Sequence, residues 1–133
     1  MSRPDAIINI KNLRLRTYIG FNPEEREKQQ DIVINLEIRY AVNEAALEDE
    51  VDEALNYKTI TKRVIALVEA GRFLLLERLV KDVLAICCEH PDVRSARVTI
   101  DKPHALRFAD SVSLTLEYQA DQKAHLTVLE KVS

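Results

Sequence analysis

The chain has 133 residues, with 19 basic and 22 acidic side chains and a formal charge of −3. That length suits one domain with a buried core and is short for two. That charge offers no broad positive field to nucleic acid or to an anionic membrane, so neither is an expected partner. No long apolar run follows Met1-Ser2-Arg3-Pro4, so neither a secretory signal nor a spanning helix is expected, and the expected location is cytoplasmic.

In chain order, the first strand signal is irregular. Its apolar positions change parity between Ile8/Ile10 and Leu13/Leu15, which predicts a bulge near Lys11-Asn12, because one extra residue flips the faces. Residues 32–40 alternate: Ile32, Ile34, Leu36, Ile38 and Tyr40 oppose Val33, Asn35, Glu37 and Arg39, the pattern of a half-buried strand. The period then becomes helical. Ile60, Val64, Leu67 and Val68 form one stripe ending at Gly71; Leu76, Leu79, Val80, Val83 and Cys87 form a second ending before Pro91. Alternation returns over 96–102 and 112–118. The adjacent Cys87 and Cys88 read as reduced packing residues, since neighbouring helical side chains diverge. His90, His104 and His125 are scattered, so no metal is expected.

The predicted order is therefore ββααββ: an α+β domain over residues 1–120, with an antiparallel four-stranded sheet, two helices on one face, and a C-terminal tail over 121–133. Its second sheet face is polar and its outer strands have unpaired edges. Edge-to-edge joining of copies into a homo-oligomeric barrel would satisfy those edges; short, charged edges on a monomer are the plainer alternative.

Four polar residues are out of place. Lys102 follows Ala96, Val98 and Ile100 on the apolar face of its strand, just before Pro103; Glu77 flanks an apolar helix stripe; Tyr57 opens a helix; Glu25 lies in a loop after Gly20. Each has an ordinary reading. A strand-end lysine runs its stem over apolar surface, Glu77 pairs with Lys81 four residues on, the tyrosine is a packing residue with one hydrogen bond, and Glu25 is a solvated charge in a run where Glu24 leaves the register ambiguous.

Taken together, Tyr18-Ile19-Gly20 with Glu25 five positions after the glycine, Ala54-Leu55-Asn56-Tyr57, Leu75-Leu76-Glu77-Arg78-Leu79 and Asp101-Lys102-Pro103-His104-Ala105 resemble the dihydroneopterin aldolase/epimerase family over most of residues 5–119. Each segment alone is weak; their joint spacing is specific. The runs 10–17 and 104–112 are most similar to the branch that epimerises the 2' carbon of 7,8-dihydroneopterin triphosphate. The resemblance implies a tunnelling fold, subunits in a tetrameric ring that stacks into an octamer, active sites between subunits, a small-molecule dihydropterin substrate and no cofactor. It implies Lys102, Tyr57 and Glu25 as catalytic residues, and Glu77, the Leu76 backbone, Tyr57 and Glu25 as substrate-binding ones. A departure stands at Glu53, where the family often has Asp, with Asp52 adjacent. For the triphosphate, His104 and Arg107 are the candidates, with Arg14, Arg16 and Lys62 behind them.

The implied chemistry is retro-aldol cleavage of the C1'–C2' bond, with the dihydropterin C6=N5 imine as electron sink. Rejoining on the opposite aldehyde face gives the epimer, the dihydromonapterin form. The alternative is an aldolase that releases glycolaldehyde; a noncatalytic pterin-binding oligomer is a third reading. An RNA-binding module is opposed by the acidic balance and by the lack of an aromatic stripe on a strand face.

Overall fold

The computed structural model describes residues 3–51 and 54–120, so the tail 121–133 and the Asp52-Glu53 departure lie outside the described residues. Strands β1 (Asp5–Ile19), β2 (Gln30–Ala41), β4 (Val93–Pro103) and β5 (Ser111–Gln119) are joined by a short β3 (Arg72–Phe73). The helices are α1 (Pro23–Glu27), α2 (Glu44–Leu47), α3 (Tyr57–Ala70) and α4 (Leu76–Cys87).

The sheet order is β3-β1-β2-β4-β5. Pairings β1/β2, β2/β4 and β4/β5 are antiparallel, but β3 runs parallel to β1 through Tyr18–Arg72 and Ile19–Phe73. The expected four-stranded antiparallel sheet is therefore corrected to a five-stranded mixed one. Two residues are too few to show an alternation, which is why β3 leaves no periodic signal. The one-turn helices α1 and α2 escape for the same reason.

The predicted bulge falls between Ile10 and Leu13 of β1. Asn12 takes a φ of 54°, and its backbone N–H donates to Asn35 Oδ1 at 2.9 Å. This extra residue lets Ile10 and Leu13 both face the helices and join the core.

Ile32, Ile34, Leu36, Ile38, Val98 and Ile100 form the floor of that core, closed by Val64 and Val68 of α3 and Leu79, Val80 and Val83 of α4. Helix α3 lies over β1, and α4 over β4 and β5. Thr17, a fully buried polar residue on β1, donates its hydroxyl to the Val68 carbonyl at 2.6 Å, tying the end of α3 to the strand beneath it. At the N-terminus, Arg3 reaches both Asp92 carboxylate oxygens (3.1 and 3.0 Å) and the carbonyls of Ala41 and Val42.

The opposite sheet face carries polar cross-strand pairs: Thr99 with Thr115 (2.7 Å), Arg97 with Glu117 (3.4 Å) and Ser111 with Asp101 (2.8 Å). The outer edge of β1 is paired only at its C-terminal end, by β3, and β5 forms the other edge of the sheet.

Candidate active site

Lys102 continues the buried register of Ile100 and sits where β4 leaves the sheet. Its ammonium contacts Glu25 Oε2 at 2.9 Å, with the two side chains 14% and 23% exposed. Glu24 points to solvent, so the register ambiguity in that loop is settled for the contact with Lys102: it is made by Glu25.

Three local devices hold the carboxylate there. Asn22-Pro23 starts α1, with proline in the first turn where its missing N–H costs nothing. Glu25 is then the third helical residue, and its Oε1 accepts from the Asn22 backbone N–H at 3.4 Å, the return half of a capping box. Gln30, the first residue of β2, donates its side-chain amide to Glu25 Oε2 at 3.2 Å and to the Ile19 carbonyl. The third device is an absence of atoms. A Cβ on Gly20 would lie 2.2 to 2.4 Å from the Glu25 carboxyl group, and Gly20 has a φ of 126°. Only glycine combines that backbone with that vacancy.

The Lys102 ammonium, followed by the Gln30 and Asn22 hydrogen bonds, holds the Glu25 carboxyl below the usual carboxylate range, and burial opposes this without reversing it. Gln30 was not recognised in the sequence. Its signal was available as the capping pattern Asn22-Pro23-Glu24-Glu25 at a strand-to-helix turn, with a polar residue at the start of the returning strand.

Glu77 follows β3 by four residues in the chain. The Gly20 N–H donates to the Phe73 carbonyl at 2.9 Å, so the chain that enters α4 is fastened beside the glycine that accommodates Glu25. Helix α4 then begins at Leu76, with Glu77 exposed in its first turn and no side-chain cap supplied by Leu75. The first N–H groups of such a helix are left for a ligand or water. Leu76 also packs its side chain against the core.

Tyr57 stands apart. It opens α3 behind Asn56, whose side chain accepts from the Lys58 and Thr59 backbones at 3.0 and 3.2 Å, and it is 52% exposed. Among the described residues no hydrogen bond joins it to Lys102, Glu25 or Glu77. His104 lines a cavity with Arg14 and Arg16. Arg107 instead lies in the exposed β4–β5 loop, its guanidinium 5.5 Å from the Phe108 ring, and Lys62 is exposed on α3. Among the described residues no group of three or more His, Cys, Asp or Glu is placed to hold a metal ion.

The fold and site thus define an α+β domain with a lysine–carboxylate pair at one end of its sheet. The chain belongs to the dihydroneopterin aldolase family, whose model, FolB, matches residues 8–117. It is 56% identical to the dihydroneopterin triphosphate 2'-epimerase of Escherichia coli (strain K12) over 90% of this chain and 99% of the relative. To the dihydroneopterin aldolase of the same organism it is 30% identical, over 84% and 91%. The crystal structure of E. coli dihydroneopterin aldolase in complex with neopterin superposes with a TM-score of 0.78 at 29% identity, covering 85% of this chain and 98% of that one.

Proposed function

We infer that this chain is an isomerase that converts 7,8-dihydroneopterin triphosphate to its 2' epimer, 7,8-dihydromonapterin triphosphate. The carrying observation is the identity contrast: 56% to an epimerase against 30% to an aldolase from the same organism, each across most of both chains. A cleavage-competent site accounts for both activities. The 2' hydrogen is not acidic, so direct inversion by proton removal is slow, whereas loss of the 2' hydroxyl proton breaks C1'–C2' and sends the electron pair into C6=N5. An enamine and an aldehyde result, held in one cavity.

Lys102 is the acid that delivers a proton to N5 as the pair arrives, directly or through water, and removes it when the bond re-forms. Glu25 keeps that ammonium oriented and holds the substrate side chain or a water. Glu77 accepts two hydrogen bonds from the N3–H and 2-amino edge of the pterin, assisted by the open N–H of Leu76. Tyr57 exchanges the 2' hydroxyl proton. Rotation of the aldehyde before reclosure gives the epimer; protonation of the enamine at C1' would instead release the aldehyde, glycolaldehyde triphosphate from this substrate or glycolaldehyde from the dephosphorylated one, the aldolase outcome.

Since Tyr57 is exposed and makes no bond to Lys102 within the protomer, the site is completed by a neighbour. The long unpaired edge of β1, the β5 edge and the polar sheet face support a ring of four protomers in the tunnelling arrangement, doubled to an octamer. No helix of the described residues is long and apolar enough to cross a membrane, and a cytoplasmic enzyme acting on a phosphorylated pterin is the reading adopted.

Incubating the purified protein with 7,8-dihydroneopterin triphosphate and resolving the products by chiral chromatography tests this. The epimer is the expected product; a predominance of 6-hydroxymethyl-dihydropterin would make the protein an aldolase. Lys102→Ala is expected to lower kcat at least about 100-fold, and unchanged turnover would remove the lysine from the mechanism.

A further inference from the structure

A basic cavity lies against Pro103 and His104. Arg14, Arg16, Asp31, Val33 and His104 contribute to the lining of a space of about 350 Å3. The two arginines are i and i+2 on β1, on the face turned away from the helices, opposite Val33 and Asp31 of β2. Their stems are therefore roughly 6.6 Å apart along the strand, which lets two guanidinium forks reach different groups of one extended anion.

Arg16 is already braced: its Nε pairs with Asp31 at 3.1 Å and its Nη2 donates to the Gln29 carbonyl at 3.0 Å. Arg14 makes no hydrogen bond or ion pair among the described residues. His104, with a left-handed φ of 66°, turns the chain out of β4 two residues after Lys102 and borders the same space. The cavity thus borders the strand end that carries the amine, on the opposite face of the sheet.

We propose that this cavity receives the substrate's triphosphate. Arg14 and the outer nitrogens of Arg16 grip phosphate oxygens through their planar forks, His104 donates a further hydrogen bond, and Asp31 holds Arg16 extended so that less side-chain freedom is lost on binding. The proposal rests on reading the substrate as a dihydropterin triphosphate. Another basic cavity, of about 430 Å3, contains Arg26 and Arg72, but Arg72 is stacked 3.9 Å over the Tyr18 ring and donates to the Arg26 carbonyl. That engagement leaves it poorly placed to serve a tail, and makes it the natural comparison.

The test uses the full chain and two probes: the triphosphate substrate, and inorganic tripolyphosphate as a competitor. Wild type is expected to be inhibited competitively by tripolyphosphate, less so as salt rises. Arg14→Gln, alone and with His104→Gln, should raise the KM for the triphosphate and the inhibition constant of tripolyphosphate about tenfold or more, the size of a lost charged hydrogen bond. Arg72→Gln should move neither.

Unaltered constants in both Arg14 variants, or a loss that follows Arg72→Gln instead, would overturn the assignment. So would a fall in kcat with KM unmoved, since that marks a structural role. Failure of the functional reading is separable. If wild type does not epimerise the triphosphate but tripolyphosphate still raises its melting temperature, and not that of Arg14→Gln, the polyphosphate cavity stands and the reaction is wrong. No thermal shift in wild type would sink the cavity.

Discussion

Gly20 carries two constraints at once, and they fail differently. Its φ of 126° is strained for any L side chain, by about 1–3 kcal/mol, while the clash of an added Cβ falls on the Glu25 carboxyl, the far end of a flexible side chain. Gly20→Ala is therefore expected to leave a folded protein that has lost the Glu25–Lys102 contact, with kcat reduced at least about tenfold and the circular dichroism spectrum retained. Full activity in a folded Gly20→Ala protein would show that the contact is dispensable. Glu25 itself has a pH signature. Its folded value is lowered, so its contribution to stability is complete above the ordinary carboxylate range and disappears as pH falls through the lowered value. In urea unfolding, wild type should exceed Glu25→Gln by about 1 kcal/mol near neutrality, and the gap should close as the pH falls below the ordinary carboxylate range. A gap independent of pH would mean that packing, not charge, distinguishes the two. Cys87 shows the opposite effect of burial: the thiol is pushed up to about 12, chiefly by desolvation, which suits a packing residue on α4 rather than a reactive one.

At the scale of elements, β3 is the assembling piece. Two residues long, it brings the chain before α4 against the end of β1, where its Phe73 carbonyl accepts from the Gly20 N–H. The long elements were legible because burial imposes a period on them: β2, β4, β5, α3 and α4 each show an alternating or helical stripe, and the β1 bulge betrayed itself as a parity change. The pieces α1, α2 and β3 are too short for any period and are defined by caps and tertiary contacts. Thr17 shows how a contact across elements is hidden in a sequence, since one threonine in a strand says nothing of the carbonyl it meets. Thr17→Val removes the hydroxyl from the Val68 carbonyl while keeping the shape, and is expected to cost about 1 kcal/mol in urea unfolding with turnover near that of wild type. A stability equal to wild type would mean that the bond is replaceable.

For the whole molecule, the decisive question is whether the proposed site is shared between protomers. Lys102 and Glu25 meet, Glu77 follows β3 in the first turn of α4, and Tyr57 is exposed with no hydrogen bond to any of the three. If the site is shared, Tyr57→Phe and Lys102→Ala proteins, each weakly active, should regain activity when dissociated and reassembled together. With random mixing, about a quarter of the sites would hold both native residues. A mixture no more active than its components would place the whole site in one protomer and count against the ring. Light scattering on the wild type is the companion measurement, with a mass of four or eight protomers expected.

The sequence by itself determined the faces: which side of each strand and helix would be buried, where β1 slips by one residue, and that an ammonium would stand on the apolar side at the end of β4. These follow from periodicity, which is local and repeated over many residues. Only the tertiary structure decided that Glu25 rather than Glu24 meets Lys102, that Gln30 steadies it, that β3 ties the chain before α4 to Gly20, and that Arg14 and Arg16 share a cavity with His104 while Arg107 does not. Those facts are single contacts between segments far apart in the chain, and a contact made once leaves no repeating pattern along the sequence.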